Sequence, residues 1–189
     1  MTLDQLRLGD IRRMRAEADC LADGPTVEAA IARMAAAINV RLAKSDPLVF
    51  AVMNGGLILS GRLLPQLDFP LEVSYLHATR YGHATQGDDK MEWRAHPSED
   101  ARGRTVLVVD DVLDEGHTLI AITDRLRALG ANEVFSAVLV DKLHQHKARP
   151  GLRADFTGLE LPDRFLFGYG MDYRGYWRNA NGIYAVKDL

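Results

Sequence analysis

Seven residues within one short run carry the densest reactive chemistry of this chain. In VLVVDDVLDEGHTL, residues 106–119, an apolar run meets Asp110, Asp111, Asp114 and Glu115, followed by Gly116, His117 and Thr118. Backbone N–H groups in the first turn of a helix lack intrahelical acceptors and lie at the positive end of the helix dipole. Gly116-His117-Thr118 can therefore seat an anion, with the Thr118 hydroxyl as a further donor. Carboxylates cannot hold a phosphate. Beside a sugar phosphate they can accept hydrogen bonds from ribose hydroxyls, hold Mg²⁺ through water, or take up a proton. Successive side chains on a strand point to opposite sides, so Asp110 and Asp111 are expected to serve different neighbours. The competing reading is that acidic residues merely solvate a loop and favour a helix N-terminus. It suits Glu115 best. It suits Asp110, Asp111 and Asp114 least, because ligands of open parallel sheets bind where such a strand ends. The run matches neither GxxxxGK[ST] nor GxGxxG.

The elements that must position these residues are legible around them. Val27, Ile31, Met34, Ile38 and Leu42 recur at helical spacing, with Pro25 suited to the first turn. PLVFAVM, residues 47–53, is a short unbroken apolar run, the pattern of a parallel strand covered on both faces. It ends in Asn54-Gly55-Gly56, and a helical apolar stretch follows over 57–64. LEVSYLH alternates at Leu71, Val73 and Tyr75 as a strand does. Residues 79–104 then lose all period, and a connection of that length predicts a mobile lid containing short strands. Residues 106–109 predict a buried strand. Leu119, Ile122, Leu126 and Leu129 mark a helix face closed by Gly130, and residues 133–140 form another strand. Strand, helix and strand at this spacing make a βαβ unit with parallel strands. The aromatic, glycine-rich tail from Phe156 contains the strand-like pieces RFLFGYG and GIYAV.

The 189 residues, 47% hydrophobic and 26% charged, fit one α/β domain with a real core. A net charge of -3 argues against a protein that grips nucleic-acid backbones. One cysteine, Cys20, leaves no intrachain disulfide, and the six histidines show no zinc spacing, His144 and His146 included. The charged N-terminus is no signal peptide, and no apolar run approaches a membrane span of about 20 residues. A cytoplasmic protein without membrane or nucleic-acid partners is expected.

VLVVDDVLDEGHTL resembles the phosphoribosyl-pyrophosphate (PRPP) signature of type I phosphoribosyltransferases: an apolar strand, two acids, two apolar residues, then Asp, a residue usually small, Gly, any residue and Thr. VMNGG is similar to that family's pyrophosphate loop, LVDK ends in Lys142, and DRFLFGYGMDYRGYWR resembles the hood of its hypoxanthine-guanine members. These matches span residues 47–178.

The resemblance implies a parallel twisted sheet flanked by helices, in one domain with its core at 25–150. A small hood lobe would come from 151–189 plus N-terminal residues, and the long mobile lid from 79–104. It implies Mg²⁺-dependent transfer of the 5-phosphoribosyl group from PRPP to a 6-oxopurine, hypoxanthine or guanine, with release of pyrophosphate. Loop 114–118 would cradle the 5-phosphate, so Asp114, Glu115, Gly116, His117 and Thr118 are candidate PRPP residues. Asp110 and Asp111 would hold the ribose hydroxyls, partly through Mg²⁺, and Asp114 would accept the purine N7 proton. Burial under a purine should raise the Asp114 pKa toward a useful value. Met53, Asn54, Gly55, Arg80, Tyr81 and Arg178 would meet pyrophosphate. Lys142 would donate to the 6-oxo group, Phe165 would stack on the base, Leu166 would offer its carbonyl, and Asp172 would bind Mg²⁺ beside the purine. Assembly into a homodimer or homotetramer is implied as well.

Three departures mark this chain: Arg80-Tyr81 where the lid usually has Ser-Tyr, Asn54 where a basic residue is common, and Glu115 where Ser or Thr is usual. Alternatives are a xanthine-preferring enzyme and a PRPP-sensing regulatory protein. The latter needs a nucleic-acid surface or an added helix-turn-helix domain, for which the first 46 residues are too few.

Overall fold

The computed structural model describes residues 3–80 and 91–187. Its centre is a six-stranded sheet in the order β4-β3-β2-β5-β6-β7, built from β2 (Leu48–Val52), β3 (Glu72–Arg80), β4 (Met91–Ala95), β5 (Thr105–Leu113), β6 (Glu133–Leu143) and β7 (Phe156–Pro162). All neighbours are parallel except β4, which runs antiparallel to β3 at one edge. Helices α2 (Gly24–Leu42) and α3 (Gly56–Leu63) cover one face and α4 (His117–Ala128) the other.

Strand alternation distributes the core between the faces. Val49, Leu107, Val109, Ala137 and Leu139 pack with α2 and α3, whereas Leu48, Phe50, Val52, Val106, Val108 and Val138 pack with α4. A strand buried on both sides has no polar position to spare, which is why these segments read as unbroken apolar runs. Val27, Ile31, Met34, Ile38 and Leu42 of α2 are buried as their spacing predicts, as are Leu119, Ile122 and Leu126 of α4, whereas Leu129, also expected on that face, is the half-buried C-cap just past the helix. Gly130 follows α4 with φ +91°, the left-handed closure that favours glycine.

A second sheet, antiparallel and in the order β1-β9-β8, joins β1 (Asp19–Asp23), β8 (Leu166–Phe167) and β9 (Gly182–Ala185). This is the hood. Its outer cluster of Phe167, Ala180, Tyr184 and Val186 is covered by Met14 and Ala18, at and just beyond the end of α1 (Leu3–Glu17). Trp177 Nε1 donates to the Ile11 carbonyl at 2.9 Å, and the Arg15 guanidinium lies 3.5 Å from the centre of the Tyr184 ring. Ile183 and Ala185 join the main core, so the hood is welded to the large sheet.

Four features differ from the sequence reading. Strands β5 and β6 continue past their apolar runs to Leu113 and Leu143. Backbone pairing persists there, with Val112 opposite Val140 and Leu113 opposite Asp141, although the side chains turn polar at the binding edge. In β3 the apolar Val73 and Tyr75 point outward, 56% and 57% exposed, while Leu76 and Ala78 face the α4 side of the core. The tail divides: β7 extends the large sheet, so the hood strands begin at Leu166 and not near residue 151. Within the expected lid, β3 and β4 form two paired arms, and Ala101, in a 3-10 turn at Glu99–Ala101, is buried. Tyr81 and the rest of the stretch to residue 90 lie outside the described residues, as does the Arg80 side chain.

Candidate active site

The carboxyl ends of β2, β3 and β5 open into a cleft of about 450 Å³. Its walls include Met53, Asn54 and Gly55, the whole run from Asp110 to Leu119, and Arg178 from the hood. A smaller hollow of about 220 Å³ is lined by Asp111, Val112, Asp114, Lys142, Phe165, Leu166, Met171 and Asp172. Asp111, Val112 and Asp114 line both. The structure thus brings together the expected phosphate, pyrophosphate and base residues around the end of β5, with Arg80 and Tyr81 excepted.

The Met53–Gly55 loop is pressed against β5. The Met53–Asn54 peptide is cis. A Cβ on Gly55 would fall 2.3 Å from an Asp111 carboxylate oxygen, so no larger residue fits there without moving backbone or acid. Gly116 is the N-cap of α4, with φ +91° and no side-chain cap bond. Gly116 has no side chain with which to cap α4, and the residues of the first turn line the cleft at the positive end of the helix dipole, a place that favours an anion. Thr118 and His117 line the same wall. Glu115 bends toward His117, whose Nε2 lies 3.6 Å from its carboxylate, and its carbonyl accepts from Ala148 N–H at 2.8 Å.

Asp110 and Asp111 lie in β5, not beyond it. Asp111 N–H donates to Asp110 Oδ1 at 2.9 Å. Burial, reinforced by the Asp111 charge, pushes the Asp110 carboxyl well above its ordinary value. Burial likewise pushes Asp111 up to about 6, against the Asp110 hydrogen bond and the Arg178 charge, which act in the opposite direction. A raised carboxyl pKa contributes stability that is full below the unfolded value, about 4, and is lost as pH rises through about 6. We therefore expect Asp111→Asn to raise the melting temperature of the unliganded protein by about 5 °C at pH 8, with the gain disappearing near pH 4. Calorimetry across that range checks this, and a gain independent of pH would contradict it.

These paired acids, Asp111 buried and Asp110 half-buried, fit a divalent cation, which would let both ionise at neutral pH. Asp172 lies in the smaller hollow, where it accepts from Gly175 N–H at 2.6 Å and pairs with Arg178, so a metal there must displace Arg178. Among the described residues one other set, Asp114, His144 and Asp163, brings ligand atoms within reach of a single ion. The Lys142 ammonium already fills it, 3.0 Å from Asp114 and 3.2 Å from Asp163.

Asp114 is held at both oxygens. Lys142 Nζ donates to Oδ2 at 3.0 Å, and His144 Nε2 lies 3.0 Å from Oδ1. Partial burial acts to raise its pKa, but Lys142 and His144 outweigh burial and hold it below the ordinary value. In the unliganded protein, with no purine over it, the carboxyl is thus lowered, because the cation that would serve the base is paired with the acid. Lys142 itself lies within β6, its side chain 12% exposed. Phe165 is 45% exposed, lines the hollow and makes a T-shaped contact with Tyr173, while Leu166 is buried in β8.

Sequence reasoning missed several residues. His77, Thr79 and Arg94 line the cleft from β3 and β4. Lys147 donates to the Leu113 and Asp114 carbonyls and to the fully buried Asp141, stapling the end of β5 to the chain after β6. The run DKLHQHKARP reads as solvated; the one available signal was an acid and a lysine flanking the end of an apolar strand.

Comparison with known proteins identifies the family and the fold. The family model "Phosphoribosyl transferase domain" matches residues 17–174. The hypoxanthine-guanine phosphoribosyltransferase of Bacillus subtilis (strain 168) is 31% identical over 141 residues, which cover 75% of this chain and 77% of that protein. The enzyme of the same name from Aquifex aeolicus is 32% identical over 141 residues, covering 75% and 78%. A crystal structure of a hypoxanthine-guanine phosphoribosyltransferase from Bacillus anthracis, with a HEPES molecule in its active site, superposes with a TM-score of 0.81 at 24% identity, covering 89% of this chain and 98% of that one. The chain belongs to the phosphoribosyltransferase family, with hypoxanthine-guanine enzymes among its relatives.

Proposed function

We propose that the protein transfers the 5-phosphoribosyl group of PRPP to N9 of hypoxanthine or guanine, releasing pyrophosphate. The observation that carries this reading is the pairing of two adjoining spaces at the end of β5, a cleft walled by Asp110–Leu119 and a hollow with Lys142 and Phe165 in its wall. The 5-phosphate sits on the N–H groups at Gly116–Thr118, with the Thr118 hydroxyl as donor. Asp110 and Asp111 accept from the ribose hydroxyls. Mg²⁺, held by these two acids and water, would neutralise the diphosphate leaving group. Arg178 and the Met53–Gly55 loop face that group, and Arg94 adds a second cation to the cleft.

The purine slides over Phe165, with the Leu166 carbonyl at its edge. Lys142 leaves Asp114 and donates to the 6-oxo oxygen. An amino group at that position would offer no acceptor in the ring plane, so adenine is disfavoured. Asp114 Oδ2, freed of Lys142, accepts the N7 proton as the N9–ribose bond forms. Loss of Lys142 and cover by the base both raise its basicity when it is needed. The sugar passes through an oxocarbenium-like state, so positioning and charge provide most of the acceleration. By likeness to its family, the chain is expected to assemble as a homodimer or homotetramer.

A turnover assay beside a nucleic-acid pull-down at moderate salt tests this reading. Turnover without retention supports an enzyme; retention without turnover marks a PRPP-sensing regulator.

A further inference from the structure

We propose that His144 is a positioning residue for Asp114: its Nε2–H fixes Oδ1, so that Oδ2 stays aimed at the purine after Lys142 departs. The inference rests on the reading of Asp114 as the acceptor of the purine proton.

Three observations carry it. First, His144 Nε2 lies 3.0 Å from Asp114 Oδ1, on the oxygen that Lys142 does not use. Second, its protonation pattern is set by its other nitrogen: Nδ1 accepts from the His146 N–H at 3.0 Å, so the proton of the neutral ring is on Nε2 and His144 donates to the carboxylate. With both nitrogens engaged, the neutral ring cannot take a proton from Asp114 without losing the His146 bond. It therefore orients Asp114 and does not relay its proton. Third, the ring is held in place, its side chain 6% exposed and stacked on His146 at 5.8 Å.

The need for such a residue follows from what Lys142 does. In the unliganded protein it fixes Oδ2 and also pairs with Asp163. Once it turns to the base, Asp114 keeps one side-chain partner, His144, among the charged and titratable groups of the described residues. Lys147 touches only its backbone carbonyl, and Asp163 repels it. A carboxylate free to rotate would spend part of its time away from N7, and loss of alignment weakens proton transfer more than binding.

The test compares His144→Gln with His144→Met. The two side chains are close in size, but only the glutamine amide can donate to Oδ1. For His144→Met we expect kcat to fall about tenfold with KM changed less than about twofold, the loss of one hydrogen bond to a charged group felt in the transition state. The acid limb of its kcat profile should move to higher pH, since a carboxylate that loses a donor becomes more basic. In His144→Gln both kcat and the limb should return close to wild type. Met and Gln variants equal to each other, whether both active or both impaired, would overturn the proposal, as would an unmoved limb in His144→Met. A wild-type protein with no turnover on any 6-oxopurine would fail the functional reading itself, which separates the two failures.

Discussion

Replacing Asp114 with asparagine is expected to lower kcat for hypoxanthine by about 10²–10⁴-fold, the range of a positioned general base, while KM for PRPP stays within about threefold. Asparagine keeps the shape, and its amide oxygen can still accept from Lys142 or His144, so the fold and cleft should survive. It cannot take up the N7 proton. Because Lys142 and His144 hold Asp114 below its ordinary pKa in the unliganded protein, the wild-type enzyme has this carboxylate ionised at neutral pH, ready to accept. Steady-state kinetics with both substrates varied give the answer. Turnover equal to wild type would remove Asp114 from the proton transfer.

The second large effect concerns Lys142. It pairs with Asp114 and Asp163 in the unliganded protein, and in the proposed function it donates to the 6-oxo group once the base arrives. Lys142→Met should raise KM for hypoxanthine about 10–100-fold, as loss of a hydrogen bond from a charged donor implies. Discrimination against adenine should fall by a similar factor, because the 6-position loses the donor that reads it. The acid limb of kcat/KM should also move to higher pH. The carboxylate that Lys142 holds down in the free enzyme would be released from it. Unchanged selectivity between hypoxanthine and adenine would place recognition of the 6-position elsewhere.

The residues named here differ in how clearly the sequence announced them, and the reason is where their contacts come from. Asp110, Asp111 and Asp114 were legible because a doubly covered parallel strand must be apolar, so acids at its end stand out. Helices α2 and α4 were legible through single buried stripes. The hood was less so. Among the residues whose burial is described, helix α1 buries only Ile11 and β1 only Ala22, and neither shows a period. They exist because β9, more than 150 residues away, supplies the pairing for β1 and Trp177 the contact for α1. His144 and Lys147 were hidden for a similar reason. Their polar run looks solvated, yet the chain after β6 turns back and places both on Asp114, where a carboxylate and two carbonyls compensate their burial. Lys142 illustrates the limit of reading strand ends from hydropathy: β6 pairs with β7 through Lys142 opposite Leu161, so the lysine is held by the sheet itself. Glu115, the least family-like residue of the loop, lies beside His117 with its carbonyl tied to Ala148, an arrangement no local pattern predicts.

The central claim is that a 6-oxopurine and PRPP react at the end of β5. The most direct test is spectrophotometric turnover of PRPP with hypoxanthine, guanine, xanthine and adenine in parallel, each with and without Mg²⁺. We expect Mg²⁺-dependent nucleotide formation with hypoxanthine or guanine, and none above background with adenine. Turnover led by xanthine would reassign the base, and no activity with any oxopurine would contradict the account.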